Sequence, residues 1–278
     1  MAGLINQTLV VGASGRVGRL LARAWARVGQ APTLQHRGEA LAADLPQVEW
    51  HPLSGASLDK GRFRAMIVLA GVVRGDMTLN ALLAEACCAA AVQAGIAQVL
   101  LASSSAVYGV NGGLACRENT PTHPVNDYGR SKLEAEAVAN GWRARGLAIT
   151  ALRIGNVAGA DALLAGIQPG QPTMIDCFAD GTGPVRSYIG PITLADVLAR
   201  LLGQDLPPVL NLGAPHPVAM ADLAQAAGAD WRYQAAPATA YQRITLDCDL
   251  LAQHYRFAED QSDAATMVAE WQSTRGPQ

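Results

Sequence analysis

Tyr128 and Lys132 are the two side chains in this sequence whose types and spacing best suit proton transfer. They stand four positions apart in a helical pattern over residues 127–140, so a helix places both on one face. A free tyrosine ionises near pH ~10, too high for ready proton exchange at neutral pH. An ammonium held nearby favours the phenolate and lowers that pKa. The spacing therefore predicts that Tyr128 acts as a general acid or base, with Lys132 as its activator.

Lysine is rare in this chain, which makes the pair informative. Lys60 and Lys132 are the only lysines among 278 residues, although lysine and arginine together number 21. Arginine would supply charge but not a compact, rotatable donor. The alternative interpretation is an ordinary exposed helix pair without a chemical role.

A glycine-rich turn lies between the first predicted strand and the first predicted helix. Its sequence, GASGRVG over residues 12–18, allows a tight turn, a close approach of a pyrophosphate to backbone N–H groups, and close helix–strand packing. We expect a dinucleotide there, with its diphosphate at the positive end of the helix; the alternative is a plain glycine turn. The expected contacts are Gly12, Ser14, Gly15, Arg16, Val17 and Gly18, together with Leu69 and Ala70 at the end of a later strand.

The end of the second predicted strand, residues 34–38 (LQHRG), should decide which dinucleotide binds. An acidic residue at this place would bind the ribose 2′-OH of NAD, but the stretch contains no carboxylate. Arg37 offers a planar cationic fork suited to a 2′-phosphate. The sequence therefore favours NADP(H), with NAD(H) as the alternative if Arg37 is simply a solvated loop charge.

Three consecutive serines, residues 103–105, follow a buried run at the expected carboxyl end of a central strand. Open α/β sheets bind ligands at that edge. A hydroxyl there could donate a hydrogen bond to a substrate oxygen while Tyr128 moves the proton. The serines could equally cap the next segment or fill a turn. No histidine or acid has nucleophile-motif spacing around them, which disfavours a hydrolase triad.

Strand-like and helical patterns alternate along the first part of the chain, which predicts βαβ units. The expected fold class is α/β, a Rossmann-type doubly wound parallel sheet with a smaller, partly interleaved C-terminal substrate lobe. We predict a dinucleotide-binding domain over 1–155 and a substrate lobe over 156–278, with about 187–213 returning to the first domain. The predicted strands are 9–12, 33–35, 65–70, 99–102, 148–154 and 209–212, and the predicted helices are 16–28, 78–94, 127–140 and 191–202.

Composition excludes several classes of protein. A formal net charge of −2 offers no electrostatic basis for binding nucleic acid. No apolar run is long enough to cross a membrane, and nothing at the start reads as a signal peptide. The five histidines lack ligand spacing, so no metal site is expected. The five cysteines form neither a disulfide framework nor a metal pattern, so we expect reduced core cysteines in a cytoplasmic protein.

With these residues assembled, the chain resembles the extended short-chain dehydrogenase/reductase superfamily, specifically the NAD-dependent epimerase/dehydratase family. The likeness runs almost end to end. Its motifs are the glycine turn, 101–109 (LASSSAVYG), 118–121 (ENTP), Pro124, 128–132 (YGRSK) with Glu136, 152–157 (LRIGNV), 180–181 (DG), 186–189 (RSYI), 211–213 (NLG) and 247–250 (DCDL).

The resemblance implies roles for several residues. Ser104, three positions before Val107, matches the family's catalytic serine better than Ser105 does, and Lys132 also binds the nicotinamide ribose. The second lobe holds a small-molecule substrate, commonly a nucleotide sugar, and helices 78–94 and 128–140 pair into a homodimer. Further candidates for substrate contact are Ser105, Asn156, Arg186 and Tyr188, each of which could instead have a structural role.

Departures from the family pattern concern the substrate. Sugar-nucleotide dehydratases carry an Asp-Glu pair just after the catalytic hydroxyl, whereas this chain has Ser105 and Ala106, which disfavours a dehydratase. The expected function is hydride transfer at a carbinol or ketone carbon of a substrate such as a nucleotide sugar, by an NAD(P)-dependent oxidoreductase or epimerase; the sequence leaves the choice between epimerisation and net reduction open. The alternatives are an NADPH-dependent ketone reductase acting on a non-sugar substrate, and a non-catalytic dinucleotide-sensing protein. The presence of both Tyr128 and Lys132 disfavours the last.

Overall fold

The computed structural model describes residues 3–276, so the outermost positions of the two predicted domains lie outside the described residues. Up to residue 154, strands and helices alternate much as their patterns predict. The elements are β1 Thr8–Val11, α1 Arg16–Arg27, β2 Thr33–His36, β3 Gln47–Glu49, β4 Ala65–Val68, α2 Leu79–Ala94, β5 Gln98–Ser104, α3 Asp127–Arg143 and β6 Ala148–Ile154.

After residue 155 the elements become shorter. They are β7 Asn156–Val157, α4 Ala162–Ala165, β8 Thr173–Cys177, β9 Val185–Arg186, β10 Tyr188–Ile189, α5 Pro191–Leu201, β11 Val209–Leu212, β12 Val218–Ala219, α6 Met220–Ala226, β13 Trp231–Ala235, β14 Arg243–Ile244, α7 Asp249–Ala252 and α8 Ala264–Thr274.

Seven strands form one large sheet in the order β11-β6-β5-β4-β1-β2-β3, and every neighbouring pair is parallel. The sheet confirms the predicted fold class. The strand order reverses beside β1, because β2 lies on one side of it and β4 on the other. In doubly wound folds the ligand crevice opens at this switch point, outside the carboxyl ends of the strands.

Both faces of the large sheet are covered, as expected for parallel strands. On one face, α1 and α5 pack over a cluster that includes Trp25 and Leu198, both fully buried. On the other face, α2 and α3 pack over a cluster that includes Cys87 and Ala135. The Trp25 indole N–H also donates to the carbonyl of Ala195, 3.1 Å away, which ties α1 to α5.

The second lobe is built from short strands outside the large sheet. They form a pair β10-β7, a group β12-β9-β14 and a parallel pair β13-β8. Between β10 and β12 the chain leaves this lobe for α5 and β11, and β11 joins the edge of the large sheet beside β6. We propose that the dinucleotide-binding domain and the second lobe divide near residue 155.

Two general observations complete the fold. Within residues 3–276, no helix is both long and apolar enough to span a bilayer. All five cysteines are free thiols; Cys87, Cys88, Cys116 and Cys248 are buried, and Cys177 is half-buried.

Candidate active site

The glycine turn brings the start of α1 against the end of β4. Gly12 has φ +85°, and a Cβ on it would lie 2.4 Å from the backbone nitrogen of Ala70. A Cβ on Gly18 would lie 2.6 Å from the Cα of Ala13, so both positions require glycine. Gly15 caps α1 without a side chain. The first N–H groups of α1 therefore face the crevice free of a capping side chain, as a diphosphate site requires.

One cavity of about 460 Å³ extends from this turn along the carboxyl ends of the strands into the second lobe. Ten of the predicted site residues line it: Gly12, Gly15, Arg16, Val17, Gly18, Leu69, Ser104, Tyr128, Lys132 and Asn156. The other lining residues are Gly71, Val72, Val73, Ala102, Ser103, Ile154, Gly155, Val157, Ala160 and Asp161. Residues 128–132 and 154–161, more than a hundred positions after the glycine turn in the chain, thus meet that turn in one cavity.

Six predicted site residues do not line the cavity: Ser14, Arg37, Ala70, Ser105, Arg186 and Tyr188. Arg37 is exposed beyond the end of β2. The guanidinium of Arg186 donates to the carbonyls of Val185, Tyr241 and Gln242 at 2.6 to 2.8 Å, which gives it a structural role in this loop.

The Tyr128 ring and the Lys132 ammonium lie together at the wall of the cavity. Lys132 Nζ is 6.0 Å from the ring centroid and donates to the carbonyl of Ala102 at 2.9 Å. α3 carries both side chains, and its first turn is capped by Asn126, whose Oδ1 accepts from the N–H of Gly129 at 2.8 Å. A Cβ on Gly129 would lie 2.5 Å from the carbonyl oxygen of Ala106, so this glycine lets α3 approach the serine loop.

The direction of the Tyr128 pKa shift differs from the predicted lowering. Burial raises the pKa of Tyr128, and the Ser104 hydroxyl opposes this rise. Lys132 is itself removed from water, and burial lowers its pKa to about 8 while the negative charge of Glu136 works in the opposite direction. Its ammonium donates to the Ala102 carbonyl, which fixes the position of the charge.

A buried ion pair lies behind this wall. Arg153 binds Glu136 through two nitrogens, with Nη2 to Oε2 at 2.8 Å and Nε to Oε1 at 3.0 Å. The Ser103 hydroxyl donates to the same carboxylate, and Arg153 Nη1 donates to the carbonyl of Glu118 at 3.1 Å. Together with Ser103, the pair joins α3, β5 and β6. Ser103 directly precedes Ser104, and Glu136 lies one helical turn after Lys132.

Asp161 occupies the second-lobe side of the cavity. Its Oδ2 accepts from the hydroxyl of Tyr188 at 2.9 Å and from the N–H of Leu163 at 3.1 Å, and its Oδ1 accepts from the N–H of Gly159 at 3.1 Å. Burial raises the pKa of Asp161, while these hydrogen bonds oppose the rise. Tyr188 is fully buried and reaches Asp161 without facing the cavity, so it supports the wall.

Comparison with known proteins agrees with this geometry. A model of the NAD dependent epimerase/dehydratase family matches residues 8–185. The chain belongs to this family.

A curated family relative, UDP-glucose 4-epimerase from Azospirillum brasilense, is 34% identical over 177 residues, which cover 56% of this chain and 50% of that enzyme. Another UDP-glucose 4-epimerase, from Streptococcus mutans, is 32% identical over 126 residues, covering 37% of each chain. The chain therefore spans at most about half the length of these curated relatives.

Solved structures share the fold of this family member over almost its whole length. UDP-glucose-4-epimerase from Stenotrophomonas maltophila, with bound NAD and formylated UDP-arabinopyranose, gives a TM-score of 0.77 at 21% identity, covering 96% of this chain and 97% of that one. MoeE5 in complex with UDP-glucuronic acid and NAD gives 0.74 at 23% identity, covering 97% and 100%. Both complexes contain NAD, so they do not support the prediction of NADP(H).

Asn80 is a residue of this family site that the sequence did not reveal. It is 3% exposed and holds the loop after β4 through both ends of its amide: Oδ1 accepts from the N–H of Val72 at 2.9 Å, and Nδ2 donates to the Val72 carbonyl at 3.0 Å. Nδ2 also donates to the Ser131 hydroxyl at 2.8 Å. A polar residue among the alanines of α2 was the available signal.

Among residues 3–276, no group of three or more His, Cys, Asp or Glu side chains is arranged to hold a metal ion.

Proposed function

We propose that this protein is an NAD-dependent epimerase that oxidises and re-reduces one carbinol carbon of a nucleotide sugar. The observation that carries the proposal is the single cavity in which the glycine turn meets Ser104, Tyr128 and Lys132. The α1 N-terminus fits a dinucleotide diphosphate, because no side chain caps its first N–H groups and Gly15 to Gly18 line the cavity. The curated relatives, which are named UDP-glucose 4-epimerases, support the substrate class.

In this mechanism Tyr128 holds and releases the proton. Its oxygen takes the proton of the substrate hydroxyl as the carbon is oxidised, and returns it when the carbon is reduced from its other face. Ser104, which lines the same cavity as the phenol, orients the reacting oxygen. A bound nicotinamide would supply the acceptance and return of the hydride, and the positive charge of its oxidised ring would favour the phenolate of Tyr128.

Lys132 lies beside Tyr128 and provides a positive charge near the reacting oxygens. Glu136 favours its charged form, and the Ala102 carbonyl fixes the direction of its ammonium. Asn156 is the proposed substrate contact, because it lines the second-lobe side of the cavity. The substrate-facing wall of the cavity includes Val73, Ala160 and Asp161.

We propose NAD as the resident dinucleotide, in place of the NADP(H) that the sequence favours. Arg37, the residue behind the NADP(H) prediction, lies outside the cavity and is exposed. Titration of the wild type and Arg37→Ala with NAD and with NADP tests the choice. Tighter binding of NAD, with little change in Arg37→Ala, supports the proposal; tenfold tighter binding of NADP that depends on Arg37 overturns it.

A ketone reductase is the second candidate, because the end of β2 has no carboxylate to bind the ribose 2′-OH. The two reactions differ in the fate of the dinucleotide. An epimerase leaves it unchanged after each turnover, whereas a reductase consumes the reduced form.

The assembly we propose is a homodimer formed through α2 and α3. These helices pack side by side, and α2 exposes Leu82 and Val92, each 52% accessible. Apolar side chains on one helix pair suit a self-complementary contact about a two-fold axis.

The deciding experiment incubates the protein with NAD and UDP-glucose or UDP-galactose, and follows the sugar by proton NMR. Interconversion without accumulation of NADH is the expected result. Tyr128→Phe should slow it by about 10²- to 10⁴-fold, while the dissociation constant for NAD stays within about twofold, since the phenol moves the proton and does not hold the diphosphate. Failure on a panel of nucleotide sugars, combined with consumption of NADPH by a simple ketone, overturns the epimerase in favour of the reductase.

A further inference from the structure

Gln35 is a buried amide that joins the glycine turn to the neighbouring strand ends. It lies in β2 and is 4% exposed. Its Oε1 accepts a hydrogen bond from the N–H of Gly12 at 3.0 Å, and its Nε2 donates to the carbonyl of Trp50, just after β3. One side chain therefore connects the carboxyl ends of β1, β2 and β3.

The two partners dictate the chemistry of this position. The Gly12 N–H can only donate and the Trp50 carbonyl can only accept, so the bridging group must do both at once. An uncharged amide meets that requirement. An apolar residue of the same length would leave two backbone groups buried without a partner, and a carboxylate would face the Trp50 carbonyl with no hydrogen to donate.

The contact with Gly12 bears on dinucleotide binding because of where Gly12 sits. Its other side lies against the backbone of Leu69 and Ala70, and its carbonyl accepts from the N–H of Gly15 at 3.0 Å. Gly15 in turn is the N-cap residue of α1. Gln35 thus fixes the first glycine, and through it the direction of the helix N-terminus, without touching the cavity itself.

We propose that Gln35 is a positioning residue for the dinucleotide: it holds the glycine turn in the shape that binds the diphosphate. The inference rests on the proposed function, because it assigns the turn to an NAD diphosphate. Preorganised N–H donors bind an anion more tightly than donors that must be ordered during binding.

Gln98 provides a matched control within the same chain. It is also a buried glutamine, 8% exposed, and its amide also bridges two backbone groups, with Oε1 accepting from the Gly203 N–H at 2.7 Å and Nε2 donating to the Gln204 carbonyl at 3.0 Å. It is the first residue of β5, whereas Ser104, the last, lines the cavity. Gln35 therefore lies near the carboxyl ends of the parallel strands, and Gln98 lies at their amino ends.

The experiment compares Gln35→Met with Gln98→Met, using calorimetric titration with NAD after removal of bound nucleotide, together with thermal unfolding. Both variants should lose stability to a similar degree. Only Gln35→Met should raise the dissociation constant for NAD, by about tenfold, as expected when two backbone groups at the turn lose their partner. At saturating NAD, kcat and the KM for the sugar should stay near the wild-type values.

Each outcome has one meaning. Equal NAD affinity in Gln35→Met and wild type overturns this inference alone, and so does an equal loss in both variants. Absence of NAD binding by the wild type overturns the proposed function instead. If Gln35→Met does not fold, Gln35→Asn takes its place, because its shorter amide cannot span both partners.

Discussion

Lys132 holds a positive charge where water hardly reaches. Its side chain is 6% exposed, and the carboxylate of Glu136 is already engaged by Arg153 and Ser103. Burying an ammonium under these conditions costs free energy, and the lowered pKa is the sign of that cost. Under the proposed function, the charge serves the reaction and not the fold.

Replacement of this lysine separates the two effects. In Lys132→Met, activity should be lost while the melting temperature at pH 7 rises by a few degrees, because a desolvated cation is removed from the folded state. The pKa of Lys132 is about 8 in the folded protein against an ordinary value of 10.5, so between these values the unfolded chain binds more protons. The stability of the wild type should therefore rise with pH across that interval, and the gap to Lys132→Met should close. Thermal melts from pH 7 to 10.5 measure this; parallel curves would contradict it.

The two neighbouring serines are distinguished by their surroundings. Ser104 lines the cavity together with Tyr128, whereas Ser105 does not line it. Ser104→Ala should lower kcat by about 10²-fold or more, as removal of one oriented donor does in other enzymes. Ser105→Ala should cause a much smaller loss. Steady-state kinetics of both variants decides the matter, and the reverse order would move the catalytic role to Ser105.

At the scale of single residues, the chemistry of the site was open to prediction where spacing along the chain encodes it. Tyr128 and Lys132 share a helix face, and the glycines of the turn are three residues apart, so local geometry is enough. Gln35 and Asn80 could not be found this way. Each is a polar residue whose partners lie outside its own helix or strand, and no spacing along the chain indicates which backbone groups it satisfies.

The elements show a similar division. β4 is a continuous apolar run, and β6 is apolar apart from Thr150 and Arg153, which indicates buried parallel strands. β3, with the sequence QVE at the edge of the sheet, is too short and too polar to leave such a pattern. Most second-lobe strands contain two residues, so their pairing is decided by the tertiary fold and not by local periodicity.

Helix α5 depends on a carboxylate from another element. It begins at Pro191 after Gly190, which has no side chain to cap it. Glu270 of α8 supplies the cap, since its Oε2 accepts from the N–H groups of Ile192 and Thr193, both at 2.9 Å, and its Oε1 accepts from the Thr193 hydroxyl at 2.6 Å. The cap lies at the positive end of the helix, where a negative charge is favourable.

Removal of this cap should weaken the fold. Glu270→Ala is expected to lower the free energy of unfolding by about 1–2 kcal/mol, the usual cost of losing a helix N-cap. Urea denaturation measures the change. Glu259→Ala, at an exposed glutamate of the same C-terminal region, serves as the control and should change stability little. Equal losses in the two variants would show that the cap contributes nothing.

At the scale of the whole molecule, the proposed dimer makes a direct prediction. Leu82→Glu and Val92→Glu place charges on the exposed side of α2, so the double variant should shift from dimer to monomer in sedimentation velocity. Val28→Glu is the control, because Val28 is 56% exposed but follows α1. A monomeric wild type, or a dimer unaffected by both charges, would remove α2 from the interface.

The contact between Gly159 and Trp271 has a consequence for how the protein is made. Gly159 has φ +84°, and a Cβ on it would lie 1.8 Å from the indole of Trp271, so the loop that leads to Asp161 rests directly on α8. The ribosome delivers α8 after every other segment of the site, and domains tend to fold in the order of synthesis. A nascent chain can therefore build its sheet and glycine turn early, yet the loop at the far wall of its cavity gains its contact with Trp271 only when α8 docks.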